Sequence, residues 1–224
     1  MTLIMIRHGK TKSNEERRYL GLTEEGISEA GTREILEYKI RQYYPEVDCL
    51  FTSPMKRCVQ TAGLIYPDLK PVCIPEWKEM DFGAFEGKNY LDLKEDERYR
   101  KWIGSNGVLP FPEGESREQF LLRCEKGMER MIREITPGRM TVGEKTAGKT
   151  AVGETTAGKI ALEEKERKTG QTVGMLVHGG TIMALLSRYG DGSYFDYQIE
   201  NGRGYVCTYQ EENGKAVLTD IRKL

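Results

Sequence analysis

Only two histidines occur among the 224 residues, and both sit in glycine-flanked stretches, Arg7-His8-Gly9 and His178-Gly179-Gly180. Each follows a short apolar run, Thr2 to Ile6 and Gln171 to Val177, that reads as a buried strand. Side chains at the C-terminal ends of parallel strands stand where such sheets bind ligands. One histidine at a strand end is more often a satisfied polar residue; two, with no others in the chain, shift the balance toward chemistry. An imidazole can attack phosphorus or move a proton near neutral pH. Arg7 and Arg57 add two guanidinium forks, whose geometry matches phosphoryl oxygens and whose charge is not lost. Glu79 and Asp81, just before Phe82-Gly83, place a carboxylic acid where it can protonate a leaving oxygen. Taken singly, each of these charges reads as a solvated surface group; as a set they describe a site for a phosphoryl group.

The elements that must position them follow from pattern and caps. Thr23 predicts the cap of a helix over Glu24 to about Tyr43, stopped by Pro45. Asp48 to Thr52 is a second strand, and Ser53-Pro54 supplies a cap and a first-turn proline for a helix to about Ile65, with Arg57 one turn in. Pro71 to Ile74 is a third strand. Trp77 to Pro112 is irregular and aromatic-rich, with a polar helical piece around Leu91 to Trp102. Ser116-Arg117-Glu118-Gln119 is a capping box opening a helix to about Ile135. After the strand ending at Val177, His178-Gly179-Gly180 reads as a turn and Thr181 to Tyr189 as a helix closed by Gly190. Gly204 to Gln210 and Ala216 to Arg222 form a hairpin about Glu212-Asn213-Gly214. Strands alternating with helices imply an α/β layered fold with a mainly parallel sheet.

Composition removes whole classes of function. Lys plus Arg is 34 and Asp plus Glu 35, a formal charge of −1, so no basic excess exists to grip nucleic acid or an acidic membrane. The first apolar run is too short for a signal peptide or a membrane span, and a cytoplasmic protein is expected. Five scattered cysteines without C-x-x-C spacing suit free thiols, and two histidines leave no set for zinc. Cys58 beside Arg57 reads as a packed helix residue whose alkylation leaves activity unchanged.

One stretch breaks the rhythm. Residues 142–149 recur as 152–159 with seven of eight positions identical. Rich in Gly, Thr and Lys, the segment from about 138 to 170 is expected to be a low-complexity insertion in a single domain spanning 1–224.

Four motifs in order carry a family resemblance: Arg7-His8-Gly9-Lys10-Thr11 with Asn14, Ser53-Pro54-Met55-Lys56-Arg57 running on to Ala62, Glu79 to Gly87, and Val177-His178-Gly179-Gly180. They resemble the histidine phosphatase superfamily, the phosphoglycerate-mutase-like group, and within it small bacterial phosphatases of the alpha-ribazole phosphatase type. The resemblance implies a three-layer α/β/α sandwich and a phosphohistidine mechanism needing no metal or cofactor. By it His8 is the nucleophile, and Arg7, Arg57 and His178 clamp the phosphoryl oxygens. Glu79 is the general acid and then the base, Asn14 adds a phosphate contact, and Gly21 and Gly179 line the pocket. Lys10 stands where the group often has Glu or Gln, Phe85 where Trp is frequent, and the loop Tyr19 to Thr23 is shorter than usual.

The expected partner is therefore a small phosphorylated substrate, alpha-ribazole phosphate being one candidate, with a homodimer left open. A mutase is the second reading and a non-catalytic phosphate binder the third. Between Glu79 and Pro112 no two arginines are adjacent, as the mutase resemblance requires, and the rings there suit an organic leaving group.

Overall fold

A computed structural model describes residues 1–135 and 170–224; the expected insertion at 138–170 therefore lies outside the described residues save for Gly170. Six strands form one sheet in the order β3-β2-β4-β1-β5-β6. The strands are β1 (Thr2–Arg7), β2 (Cys49–Thr52), β3 (Val72–Cys73), β4 (Thr172–Val177), β5 (Gly204–Glu212) and β6 (Lys215–Lys223). The four from β3 to β1 run parallel, and β5 and β6 close the sheet antiparallel. The β5–β6 turn, Asn213-Gly214, has φ of 51° and 73°, the pair of positive values that a two-residue hairpin turn demands.

Alternation along the central strands splits the core in two. Leu3, Met5, Val173, Met175 and Val177 face one layer, which contains α6 (Arg117–Ile135) and α7 (Gly179–Tyr189). Ile4, Ile6, Leu50 and Leu176 face the other, formed by α2 (Glu29–Ile40) and α3 (Lys56–Ile65). Helices on both faces of a mainly parallel sheet make the expected three-layer α/β/α sandwich. In α6 the buried residues Phe120, Cys124, Gly127, Met128 and Met131 repeat at helical spacing. Its capping box is formed, Ser116 N–H donating to Gln119 Oε1 at 2.8 Å and Gln119 N–H to Ser116 Oγ at 3.1 Å. A one-turn helix, α1 (Lys12–Glu15), follows β1, and the polar helical piece is two short helices, α4 (Tyr90–Leu93) and α5 (Glu97–Gly104).

Three helix starts differ from expectation. α2 begins at Glu29 behind a Ser28 cap, not after Thr23. The Thr23 N–H instead donates to Glu86 Oε1 at 3.1 Å and its carbonyl accepts from Arg57 Nη1 at 3.0 Å, which draws residues 21–23 toward the sheet edge. α3 is capped by Met55 rather than Ser53, because the Ser53 hydroxyl is engaged by His178. In α7 the helix begins at Gly179, so the expected turn is the first helical turn with His178 as its cap.

Candidate active site

Register brings the two histidines together. Arg7 pairs with Val177 across β1 and β4, and His8 N–H continues the ladder by donating to the Val177 carbonyl at 3.0 Å. The His8 and His178 rings meet edge to face with centroids 5.2 Å apart. Both are buried. His8 Nδ1 lies 2.8 Å from the Gly9 carbonyl. Since a carbonyl can only accept, Nδ1 carries the proton and Nε2 keeps its lone pair. Burial, Arg57 and Arg7 together hold the His8 pKa well below its ordinary value of 6.5, the Gly9 carbonyl opposing them. His178 is pushed the same way by burial, Arg57 and His8. Both rings are neutral at pH 7 and act through lone pairs and N–H groups.

Two arginines sit in the same enclosure with donors to spare. Arg57, completely buried at the second position of α3, gives Nη1 to the Thr23 carbonyl at 3.0 Å and Nη2 to the Gly21 carbonyl at 2.8 Å. Arg7 gives Nη1 to the Ile199 carbonyl at 2.7 Å. The Nε of each is buried without a hydrogen-bond partner. A buried charged donor left unpaired is costly, and native proteins keep such groups where a ligand completes them. Burial depresses the Arg7 pKa and nearby Glu79 raises it again, so the cation and this carboxyl feel each other.

Glu79 is buried at the rim of the same enclosure. Its Oε1 accepts the Met80 N–H at 2.9 Å, and the Gly180 N–H at the start of α7 is close enough to favour the charged carboxylate. Burial nevertheless outweighs these bonds and the two arginines, and the Glu79 pKa is raised above its ordinary 4.5. Arg123 anchors the backbone that carries it, reaching the carbonyls of Glu76, Lys78 and Glu79 while pairing with Glu115 at 2.8 Å.

The remaining expected residues fall on the same edge. The Asn14 oxygen accepts from the Thr11 N–H at 3.2 Å and from Asn201 Nδ2 at 3.1 Å, which leaves its own amide N–H groups as donors. Gly179 packs on the Arg7 guanidinium; a Cβ there would stand 3.2 Å from Nε. Gly21 sits deeper than a lining role requires. Its N–H is held by Glu86 at 2.9 Å and its carbonyl by Arg57, and a Cβ would meet the Met80 carbonyl at 2.2 Å. It is the point where the short loop closes on the site and fixes Arg57. Lys10 pairs with Glu34 at 3.0 Å, so part of its extra charge is spent within the protein.

Four supporting residues were given no role at the site from the sequence. Thr61 accepts the Gly9 N–H at 3.0 Å and donates to the Arg57 carbonyl at 2.7 Å, tying the His8 loop to α3. Its signal is spacing, one helical turn beyond Arg57. Ser53 bonds His178, and Glu86 holds the Gly21 loop. Asn201 bridges the His8 carbonyl and Asn14 from 187 residues away, and no local pattern marks it.

Arg7, Glu79 and Gly179 line a cleft of about 1110 Å³, whose lining does not include His8, Arg57 or His178. Tyr19, Phe82, Trp102 and Phe111 line one side of it, and Arg117, stacked 5.1 Å from the Tyr194 ring, another.

A parallel α/β sheet edge bearing two neutral histidines, two arginines and a protonatable glutamate has the chemistry to hold and transfer a phosphoryl group. The sequence matches the histidine phosphatase superfamily (branch 1) over residues 3–143, and the chain belongs to that superfamily, whose members are phosphatases or mutases. A bifunctional protein of Mycobacterium tuberculosis is 32% identical over 137 residues, 58% of this chain and 37% of that protein. The chain thus spans little more than a third of that relative's length. A 2,3-bisphosphoglycerate-dependent phosphoglycerate mutase of Staphylococcus aureus is 25% identical over 217 residues, 91% of this chain and 92% of the mutase. The crystal structure of the alpha-ribazole phosphatase from Shigella flexneri superposes with a TM-score of 0.69 at 23% identity, covering all of this chain and 96% of the other. That of a phosphoglycerate mutase from Thermus thermophilus gives 0.62, also at 23%, covering all of this chain and 99% of the other. These likenesses establish the fold. All five cysteines are free, and no helix among the described residues is long and apolar enough to cross a membrane.

Proposed function

We propose that the chain hydrolyses small organic phosphomonoesters through a phosphohistidine at His8. The observation that carries this reading is the pair of buried, partnerless Nε–H donors on Arg7 and Arg57 beside the His8 ring. They call for an anion with several oxygens, held next to a nucleophilic nitrogen. The His8 Nε2 lone pair attacks phosphorus and the bond from phosphorus to the ester oxygen breaks. Glu79 gives its proton to that oxygen, releasing the alcohol. Water then gives a proton to Glu79 and attacks the phosphohistidine, freeing orthophosphate and restoring Nε2. Arg7, Arg57, His178 and Asn14 hold the phosphoryl oxygens throughout, and the arginines supply the positive charge, so no metal is required.

The aromatic side of the cleft supports an organic leaving group, and an ester whose alcohol carries an aromatic ring, such as alpha-ribazole phosphate, suits it better than a small diacid. The test is phosphate release from a panel of esters, 3-phosphoglycerate and alpha-ribazole phosphate among them, in the presence of EDTA. Release that falls at least about a thousandfold in His8→Ala, with the fold retained, is expected. Phosphoryl movement within phosphoglycerate without release would make the chain a mutase, and binding of phosphate without turnover would make it a non-catalytic binder.

A further inference from the structure

Ser53 was expected to cap a helix, and it does not. It extends β2 by one step, its N–H donating to the Leu176 carbonyl at 3.0 Å, which sets it beside His178 at the end of β4. Thr52 Oγ1 locks the Ser53 carbonyl at 2.9 Å. The Ser53 side chain is completely buried, and its Oγ stands 2.8 Å from His178 Nε2.

The protons can be counted. Ser53 Oγ already accepts the Met55 N–H at 3.3 Å, and its own hydroxyl proton needs an acceptor inside the protein. Two groups are in reach: His178 Nε2, and the Cys58 sulfur that lies 3.5 Å from the same nitrogen. Sulfur is a weak acceptor and an imidazole lone pair a strong one. Were Nε2 protonated, the Ser53 proton would be left with the sulfur alone. The other ring nitrogen, Nδ1, has only the Cys58 thiol, at 3.8 Å, as a hydrogen-bond partner among the described residues, which leaves it available to a ligand.

We infer that Ser53 is a positioning residue for catalysis: by donating to Nε2 it holds His178 as the Nδ1–H tautomer, so that the ring presents an N–H, not a lone pair, to the phosphoryl oxygens. The inference rests on the phosphohistidine reading for its catalytic consequence, but not for the tautomer. A lone pair facing an anionic oxygen repels it, while an N–H stabilises the charge spread over it in transfer. The raised thiol pKa of Cys58, caused by burial, keeps that neighbour a neutral filler rather than a competing anion.

With two histidines in the whole chain, a long-range nitrogen–proton correlation spectrum of the ¹⁵N-labelled protein at pH 7.5 contains two imidazoles and can be assigned with one His8→Ala comparison. His178 is expected as a pure Nδ1–H tautomer in the wild type. An Nε2–H signal there would overturn the inference without any variant. In Ser53→Ala, His178 should become a tautomer mixture, and kcat should fall about ten- to a hundredfold with KM changed less than about threefold. Cys58→Ala should keep the pure tautomer. Persistence of pure Nδ1–H in Ser53→Ala, or its loss in Cys58→Ala, would show that Ser53 is not the determinant. A wild-type protein that turns over no ester defeats the proposed function, while the spectrum still decides what Ser53 does to the ring.

Discussion

On the proposed mechanism His8 is unprotonated at the moment Glu79 is protonated, and at ordinary values of 6.5 and 4.5 that combination is a minority state at every pH. The site corrects both sides. Burial and the two arginines push His8 down, and burial pushes Glu79 up. Turnover of an alkyl phosphate should therefore hold on the acid side of pH 6.5, where an exposed histidine would already be protonated, and decline as pH rises and Glu79 loses its proton. A rate-against-pH profile checks this; an acid limb centred at 6.5 would contradict it. Nitrophenyl phosphate needs little protonation of its leaving group, so Glu79→Gln should cost about 10²- to 10⁴-fold on an alkyl ester and far less on this one. Arg57→Lys should lose most of its activity although the charge is kept. One ammonium cannot span the Gly21 and Thr23 carbonyls and also offer a donor inward. At this scale the sequence was readable where chemistry is local, as in Arg7-His8-Gly9. It was silent on Asn201, whose partners lie at the other end of the chain.

The elements explain why the site is rigid. α7 starts directly after His178, so its first free N–H groups lie at the site, that of Gly180 beside Glu79. A Cβ at position 180 would stand 2.4 Å from Glu79 Oε1. Gly180→Ala should leave the helix intact yet displace the acid. The expected loss is greater than about tenfold on alkyl esters, with nitrophenyl phosphate largely spared, and the ratio of the two rates is the measurement. Strands, the capping box and the hairpin were all legible because periodicity and turn chemistry are local signals. The starts of α2 and α3 were not. Capping logic chose the first competent Thr or Ser, but Glu86, 63 residues from Thr23, and His178, 125 from Ser53, claimed those residues for the site. At Ser53 the side chain had gone to His178, and at Thr23 the backbone had been drawn to Glu86 and Arg57.

At the level of the whole molecule, two neutral histidines buried at the sheet edge make the fold sensitive to acid. Their folded values lie below 6.5, so between those values and 6.5 the unfolded chain binds more protons than the folded one, and stability rises with pH across that range. It is lost progressively as pH falls below about 6.5. Glu79, raised above 4.5, works in the opposite sense but is one group against two. Thermal midpoints should fall from pH 7 to pH 5, and a His8→Gln, His178→Gln double variant should fall less.

The place of β1 in the sheet has a consequence for how the protein is made. This strand lies between β4 and β5, with Thr2 opposite Thr172 on one side and Thr208 on the other. It leaves the ribosome long before either partner exists, and both ladder edges of an apolar strand then have no mate. His8 can be seated only after β4 has emerged, because its N–H closes on Val177. Folding is thus a late, nearly all-at-once event with high contact order, and the nascent chain has to be kept from pairing its first strand with a neighbour's.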